Sequence, residues 1–189
     1  ASAYHFGSYA LVVEPTASAL RALAERECQR SVLAYDVNVR TNVEPNLATW
    51  RAAVGWMASR VAILKLSDED FERLYPGSPP DDQAQQWLQQ GVALVVMTRG
   101  AQGAWAWTAT GRTDVAPLPV TLVDTVGAGD TFQAAMLCTL AERGLLRRDA
   151  LAALDAATLA AVLGFAAHAA AITCSRRGAD LPRRAELPH

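Results

Sequence analysis

Short apolar runs alternate along the chain with longer stretches in which apolar residues return at helical spacing, the pattern of strands exchanging with amphipathic helices. Tyr4–Phe6 reads as a strand end, and Ser31–Asp36 (SVLAYD), Val61–Leu66 (VAILKL) and Val92–Thr98 (VALVVMT) read as buried strands. Between them, Ala17–Cys28 carries Leu20, Leu23 and Ala24 at helical spacing, behind a Pro15 that a first helical turn tolerates. Pro45–Met57 places Leu47, Trp50, Ala53, Val54 and Met57 on one helix face. Ser67 followed by Asp70 has the form of an N-cap with its acidic partner, which predicts a helix over Asp68–Tyr75. Pro76–Pro80 breaks the chain, and Asp81–Gln90 is a further predicted helix closed by Gly91. Gly103–Thr108 and Arg112–Ala116 pair as a hairpin around Thr110-Gly111. Alternating Trp105 and Trp107 are read there as core or edge packing. The segment Asp124–Asp130 then opens a helix running to about Arg143, and Asp149–Ile172 supplies one or two closing helices.

Strand and helix in regular exchange predict an α/β domain: a mostly parallel sheet with helices on its faces. Such sheets take their ligands beyond the carboxyl ends of the strands. No repeat or linker divides the 189 residues, so a single domain is expected.

Composition narrows the function classes. Hydrophobic residues make up 51% and charged residues 19%, enough apolar material for a core. Seventeen basic against nineteen acidic side chains leave a net charge of −2, which gives no electrostatic footprint for nucleic acid. The three cysteines, Cys28, Cys138 and Cys174, are scattered with no CxxC pair, the usage of reduced thiols in a cytoplasmic protein. Ala156–Thr173 is uncharged and as long as a short membrane span. Its alanine content, Gly164, His168, the adjoining Asp155 and the lack of flanking aromatics assign it to a buried helix instead, with no membrane partner expected. The opening residues run straight into apolar sequence without a Met or a secretory leader, as a chain picked up partway through a fold would.

The stretch most informative about chemistry is Asp124-Thr125-Val126-Gly127-Ala128-Gly129-Asp130-Thr131-Phe132. Small residues stand immediately before a helical pattern, so the backbone can approach a ligand and the first amides of the helix point outward unsatisfied. With the helix dipole this makes an anion site suited to phosphate. A carboxylate at Asp130 would repel such a ligand unless it serves as a general base. No Gly-Lys-Ser/Thr follows, so this is not a P-loop. A plain glycine turn with an acidic N-cap accounts for the bare string equally well.

The sequence DTVGAGDTFQAAML closely resembles the C-terminal signature of the ribokinase-like (PfkB) carbohydrate kinases. Further segments match in order. Thr98–Gly103 is similar to the family's TxGxxG turn at the nucleotide, Asp36–Arg40 to a DxNxR segment of fructokinases and 2-keto-3-deoxygluconate kinases, and His5–Ser8 to the strand after the lid region. Lys65–Asp68 stands in place of the magnesium-linked NxxE motif, with Lys and Asp where the family has Asn and Glu, and Ala171–Ala179 matches the tail near the adenine. The family's GG-containing sugar motif and β-strand lid have no counterpart here, so the resemblance is to the C-terminal, nucleotide-binding part.

The resemblance implies a ribokinase-like fold and ATP-dependent phosphorylation of a sugar hydroxyl, fructose to fructose 6-phosphate, with 2-keto-3-deoxygluconate kinase, another sugar kinase of the family or a non-catalytic nucleotide-binding fragment as alternatives. It casts Asp130 as the base in contact with the sugar, and Gly127, Ala128 and Gly129 with it as the anion hole. Thr98, Gly100, Gly103, Ala167 and His168 would shape the nucleotide site, His168 as a packed or adenine-edge residue, and Lys65 would meet phosphate. Arg40 would contact phosphate or sugar, with an ordinary surface arginine as the other reading. Asp68 would hold Mg2+ through water, though helix capping explains it equally, and Asp124 with the Val126 carbonyl would form part of a K+ loop. A homodimer is an assembly open to the full-length protein. The isolated chain, lacking the sugar motif and lid, is expected to bind ATP weakly and to be inactive.

Overall fold

The computed structural model describes residues 1–187. Four strands, β1 (Ala3–Gly7), β2 (Val32–Asp36), β3 (Ile63–Ser67) and β4 (Leu94–Thr98), run parallel, and β5 (Ala104–Thr108) and β6 (Gly111–Val115) continue the sheet antiparallel. The spatial order β1-β2-β3-β4-β5-β6 is the sequence order. Each parallel step is therefore made by a helical crossover: α1 (Thr16–Glu27), α2 (Leu47–Ala58), then α3 (Asp68–Leu74) with α4 (Pro80–Gln89). Because such crossovers share one hand, these helices fall on one face of the sheet. After the hairpin, α5 (Ala128–Glu142), α6 (Arg148–Ala152) and α7 (Ala156–Cys174) cover the other.

Alternation within the strands supplies both cores. On β2, Leu33 and Tyr35 point to the α1–α4 side and Val32 and Ala34 to the α5–α7 side, and Val95 and Met97 against Leu94 and Val96 divide β4 likewise. The first core is anchored by fully buried Trp50 and by Trp87, which meets Phe71 and Tyr75 edge-on. Each such aromatic is worth about 1.5–3 kcal/mol of burial or more. The second core is lined with small residues, Ala34, Ala104, Ala106, Ala166 and Ala169, so α5 and α7 lie close to the sheet.

Predicted and observed elements agree to within a few residues, and the differences have local causes. Asn46 caps α2 by accepting from the Ala48 amide, which starts that helix at Leu47 instead of Pro45. The Ser67 hydroxyl accepts from the Asp70 amide, the expected cap of α3. The hairpin turn is Ala109–Thr110, one residue earlier than expected, because Gly111, at φ 128°, already pairs with Thr108. Arg147 and Asp155 stand at the N-caps of α6 and α7, so the closing stretch is two helices, and Asp155 accepts from the Thr158 amide. Helix α7 is long and apolar enough to cross a membrane by length and composition. Here Leu159, Val162, Leu163, Ala166 and Ala169 pack into the second core, the buried position expected from the sequence.

Candidate active site

On the α5–α7 side of the sheet the strands begin apolar and end polar. Along that face Ala34 gives way to Asp36, Ile63 to Lys65 and Val96 to Thr98, with His5 and a bare Gly7 beside them on β1. Asp36 and Lys65 stand opposite each other in register, both 3% exposed, and their side chains meet at 2.5 Å. Two charges are taken out of water here, a costly arrangement where hydrophobic residues would serve packing as well. The sequence singled out Lys65 alone; its partner was legible only as the first letter of DVNVR. Beyond β2 that segment is tied down from three sides. The Val37 amide donates to the Lys65 carbonyl, the Ser8 hydroxyl to the Asn38 carbonyl, and the Val39 amide to the Asp70 carboxylate.

The N-terminus of α5 lands over this polar end. Gly127 takes φ 79°, and a Cβ there would lie 2.9 Å from the Ala179 Cβ, so both backbone shape and close packing require glycine. Asp124 accepts from the amides of Val126 and Gly178, joining the loop to the C-terminal tail, and these bonds hold its carboxyl below the usual carboxylate range. The Thr131 hydroxyl donates to the Gly127 carbonyl or pairs with the Thr173 hydroxyl at 2.9 Å, fixing the first turn to α7. The Ala128 amide, expected in the anion hole, donates to the Thr125 carbonyl instead, which leaves those of Gly129 and Asp130 as the outward-facing pair. A Cβ on Gly129 would stand 3.4 Å from the Lys65 ammonium, so a buried cation flanks the open end of the helix. Asp130 is exposed, and among the described residues no hydrogen bond or ion pair engages its carboxylate.

A cleft of about 560 Å³ opens from Gly129 and brings together Thr98, Gly100, Gly103, Ala128 and Ala167 as the sequence expects. Leu118, Val120 and Leu122 form its apolar wall. Another part of the lining is a stripe on α7, Ala167, Ala170, Ala171 and Cys174; the resemblance places Ala167 and the Ala171–Ala179 segment at the nucleotide, and Ala170 joins them by helical spacing. Gly103 has no room for a side chain: at φ 84°, a Cβ would fall 2.0 Å from the Val115 carbonyl oxygen. Other expected residues lie apart. His168 is not on the lining stripe, Arg40 is exposed with its guanidinium on the neighbouring Val39 carbonyl, and Asp68 lines a separate open depression beside Glu69, Glu72, Arg99 and Trp105.

An apolar cleft that ends at a helix N-terminus beside a lysine combines the apolar wall and the amide and ammonium donors that a nucleotide's base and phosphates require. The donors for metals fit less well. Among the described residues no three His, Cys, Asp or Glu side chains gather where they could hold an ion, and both Asp124 oxygens already accept amides. Asp68 alone would meet a magnesium ion only through water.

A model of the pfkB family carbohydrate kinases matches residues 1–186. The chain belongs to that family. It is 38% identical over 153 residues to a fructokinase of Rhizobium leguminosarum bv. trifolii, covering 81% of this chain and 47% of that protein. To a probable fructokinase-4 of Arabidopsis thaliana it is 32% identical over 192 residues, covering 99% and 57%. Among solved structures it resembles the fructokinase of Vibrio cholerae O395 with bound fructose, ADP and calcium ion (TM-score 0.81, 25% identity, 97% of this chain and 58% of that one). It also resembles the aminoimidazole riboside kinase of Salmonella enterica with its riboside and an ATP analogue (TM-score 0.79, 26% identity, 94% and 57%). The chain thus spans about half the length of the pfkB relatives it matches.

Proposed function

We propose that the protein carrying this chain transfers the γ-phosphoryl group of ATP to a sugar hydroxyl, with D-fructose as the acceptor, and that residues 1–189 form the nucleotide-binding part of one ribokinase-like domain. The observation that carries the proposal is the open end of α5, where an unengaged Asp130 carboxylate follows Gly129, whose Cβ position lies 3.4 Å from the ammonium of a buried Lys65. The carboxylate accepts the proton of the attacking hydroxyl. The Gly129 and Asp130 amides and the Lys65 ammonium stabilise the negative charge spread over the transferring phosphoryl oxygens. The apolar cleft holds the base, and a magnesium ion bound through the phosphates would neutralise charge there. The fructokinases among the relatives favour a ketohexose acceptor.

A coupled assay of ADP release by the full-length protein, run with fructose and with 2-keto-3-deoxygluconate, tests the substrate. Turnover with fructose is expected; turnover with 2-keto-3-deoxygluconate alone would move the assignment to that acceptor. In the same assay the 189-residue chain by itself gives no turnover, since it lacks the sugar motif and lid of the family pattern.

A further inference from the structure

Gln133 lies one turn into α5 from Asp130 and is 2% exposed, yet its Oε1 is buried with no partner among the described residues. Its Nε2 stands 3.5 Å from Nδ1 of His5, across 128 residues of sequence. A neutral imidazole can donate or accept at Nδ1, so this contact occupies that nitrogen in either tautomer and leaves Nε2 as the other polar atom of the ring.

The surroundings keep that nitrogen available. Burial lowers the His5 pKa below its ordinary value, against the pull of Asp36 and Asp130 and with the help of Lys65, so the ring is neutral near pH 7. His5 nevertheless retains exposed surface. Nε2 lies 3.5 Å from the place a Cβ on Gly7 would take. Gly7 is in extended backbone at φ −148°, which any residue adopts, so its lack of a side chain leaves Nε2 uncovered without being required by the chain's path.

We infer that His5, oriented by Gln133, presents Nε2 to a hydroxyl of the acceptor sugar beside Asp130, a group that both donates and accepts, and so takes part in choosing that substrate. The inference rests on Asp130 being the base of a sugar kinase. It assigns His5 and Gly7 to the sugar, and Gln133 to positioning His5.

Steady-state kinetics of the full-length protein, with fructose and ATP varied separately, test it. His5→Asn keeps a polar group for Gln133 but loses Nε2. The fructose KM is expected to rise about tenfold, the worth of one hydrogen bond, with kcat and the ATP KM within about twofold of the parent. His5→Gln, which extends an amide toward the Nε2 position, restores most of the loss. Gly7→Val leaves His5 and Gln133 in place and covers Nε2, so it raises the fructose KM by an independent route if His5→Asn does not fold. Asp130→Asn serves as the control. Loss of kcat in that variant alongside an unchanged fructose KM in His5→Asn and Gly7→Val would overturn the role of His5 and leave the kinase reading standing. An unchanged kcat in Asp130→Asn would overturn the kinase reading itself. An ATP KM that rises together with the fructose KM would make His5 a structural residue only.

Discussion

Glycine at position 127 is set by two independent constraints, a left-handed φ and contact with Ala179. Gly127→Ala should cost about 1–2 kcal/mol for the backbone alone, more for the clash, and should displace the α5 N-terminus from the polar end of the sheet. Thermal melting and the ATP KM would register both effects; an unshifted melting temperature would contradict the packing described. The sequence showed that small residues were needed in this loop, but their different reasons were not legible. Gly127 answers to the tail, Gly129 has room for a Cβ in ordinary contact with Lys65, and Ala128 uses its amide within the loop. The tail contact joins positions 52 residues apart, a distance no local pattern reports. A second residue-scale case is Asp70, 7% exposed, whose carboxyl is raised above the usual range first by burial, against hydrogen bonds from Ser67 and Val39. A raised folded value means that its contribution to stability is full below about pH 4, the unfolded carboxylate range, and is lost as pH rises through the folded value. Asp70→Asn keeps an acceptor for the Val39 amide and removes the buried charge. Its stability relative to the parent should therefore improve as pH rises from about 4 through the folded value of Asp70 and level off above it in denaturant titrations; a constant difference would show that the carboxyl is not perturbed.

Elements place the chemistry by where their apolar pattern stops. Ser31–Asp36 and Val61–Leu66 are apolar strands almost to their ends, where Asp36 and Lys65 break the pattern on one face only. That they pair is visible only in the register of β2 against β3. If Lys65 serves phosphate as well as Asp36, stability and function should separate. Lys65→Met leaves Asp36 buried without its counter-charge and should cost about 3–5 kcal/mol. The double variant Asp36→Leu with Lys65→Met should recover most of that stability while turnover stays lost. Full activity in a stable double variant would reduce the pair to packing.

At the scale of the whole molecule, the order of elements made the fold readable: consecutive crossovers dictate consecutive parallel strands, and the two cores follow from strand alternation. The cleft was only half readable. Its glycine turn and its helix N-terminus carry motifs, whereas Leu118, Val120 and Leu122 are apolar residues of an irregular segment that any reading by periodicity passes over. Asp68 and His168 were placed by motif order, and the sheet puts Asp68 against another depression because α3 turns to the face opposite α5. What the architecture converges on is one unengaged carboxylate, Asp130, at the open N-terminus of α5. The decisive measurement is kcat of full-length Asp130→Asn with fructose and ATP saturating. A fall of about 10²–10⁴-fold with the fold intact is the result expected of a lost general base, and an unchanged kcat would contradict the account at its centre.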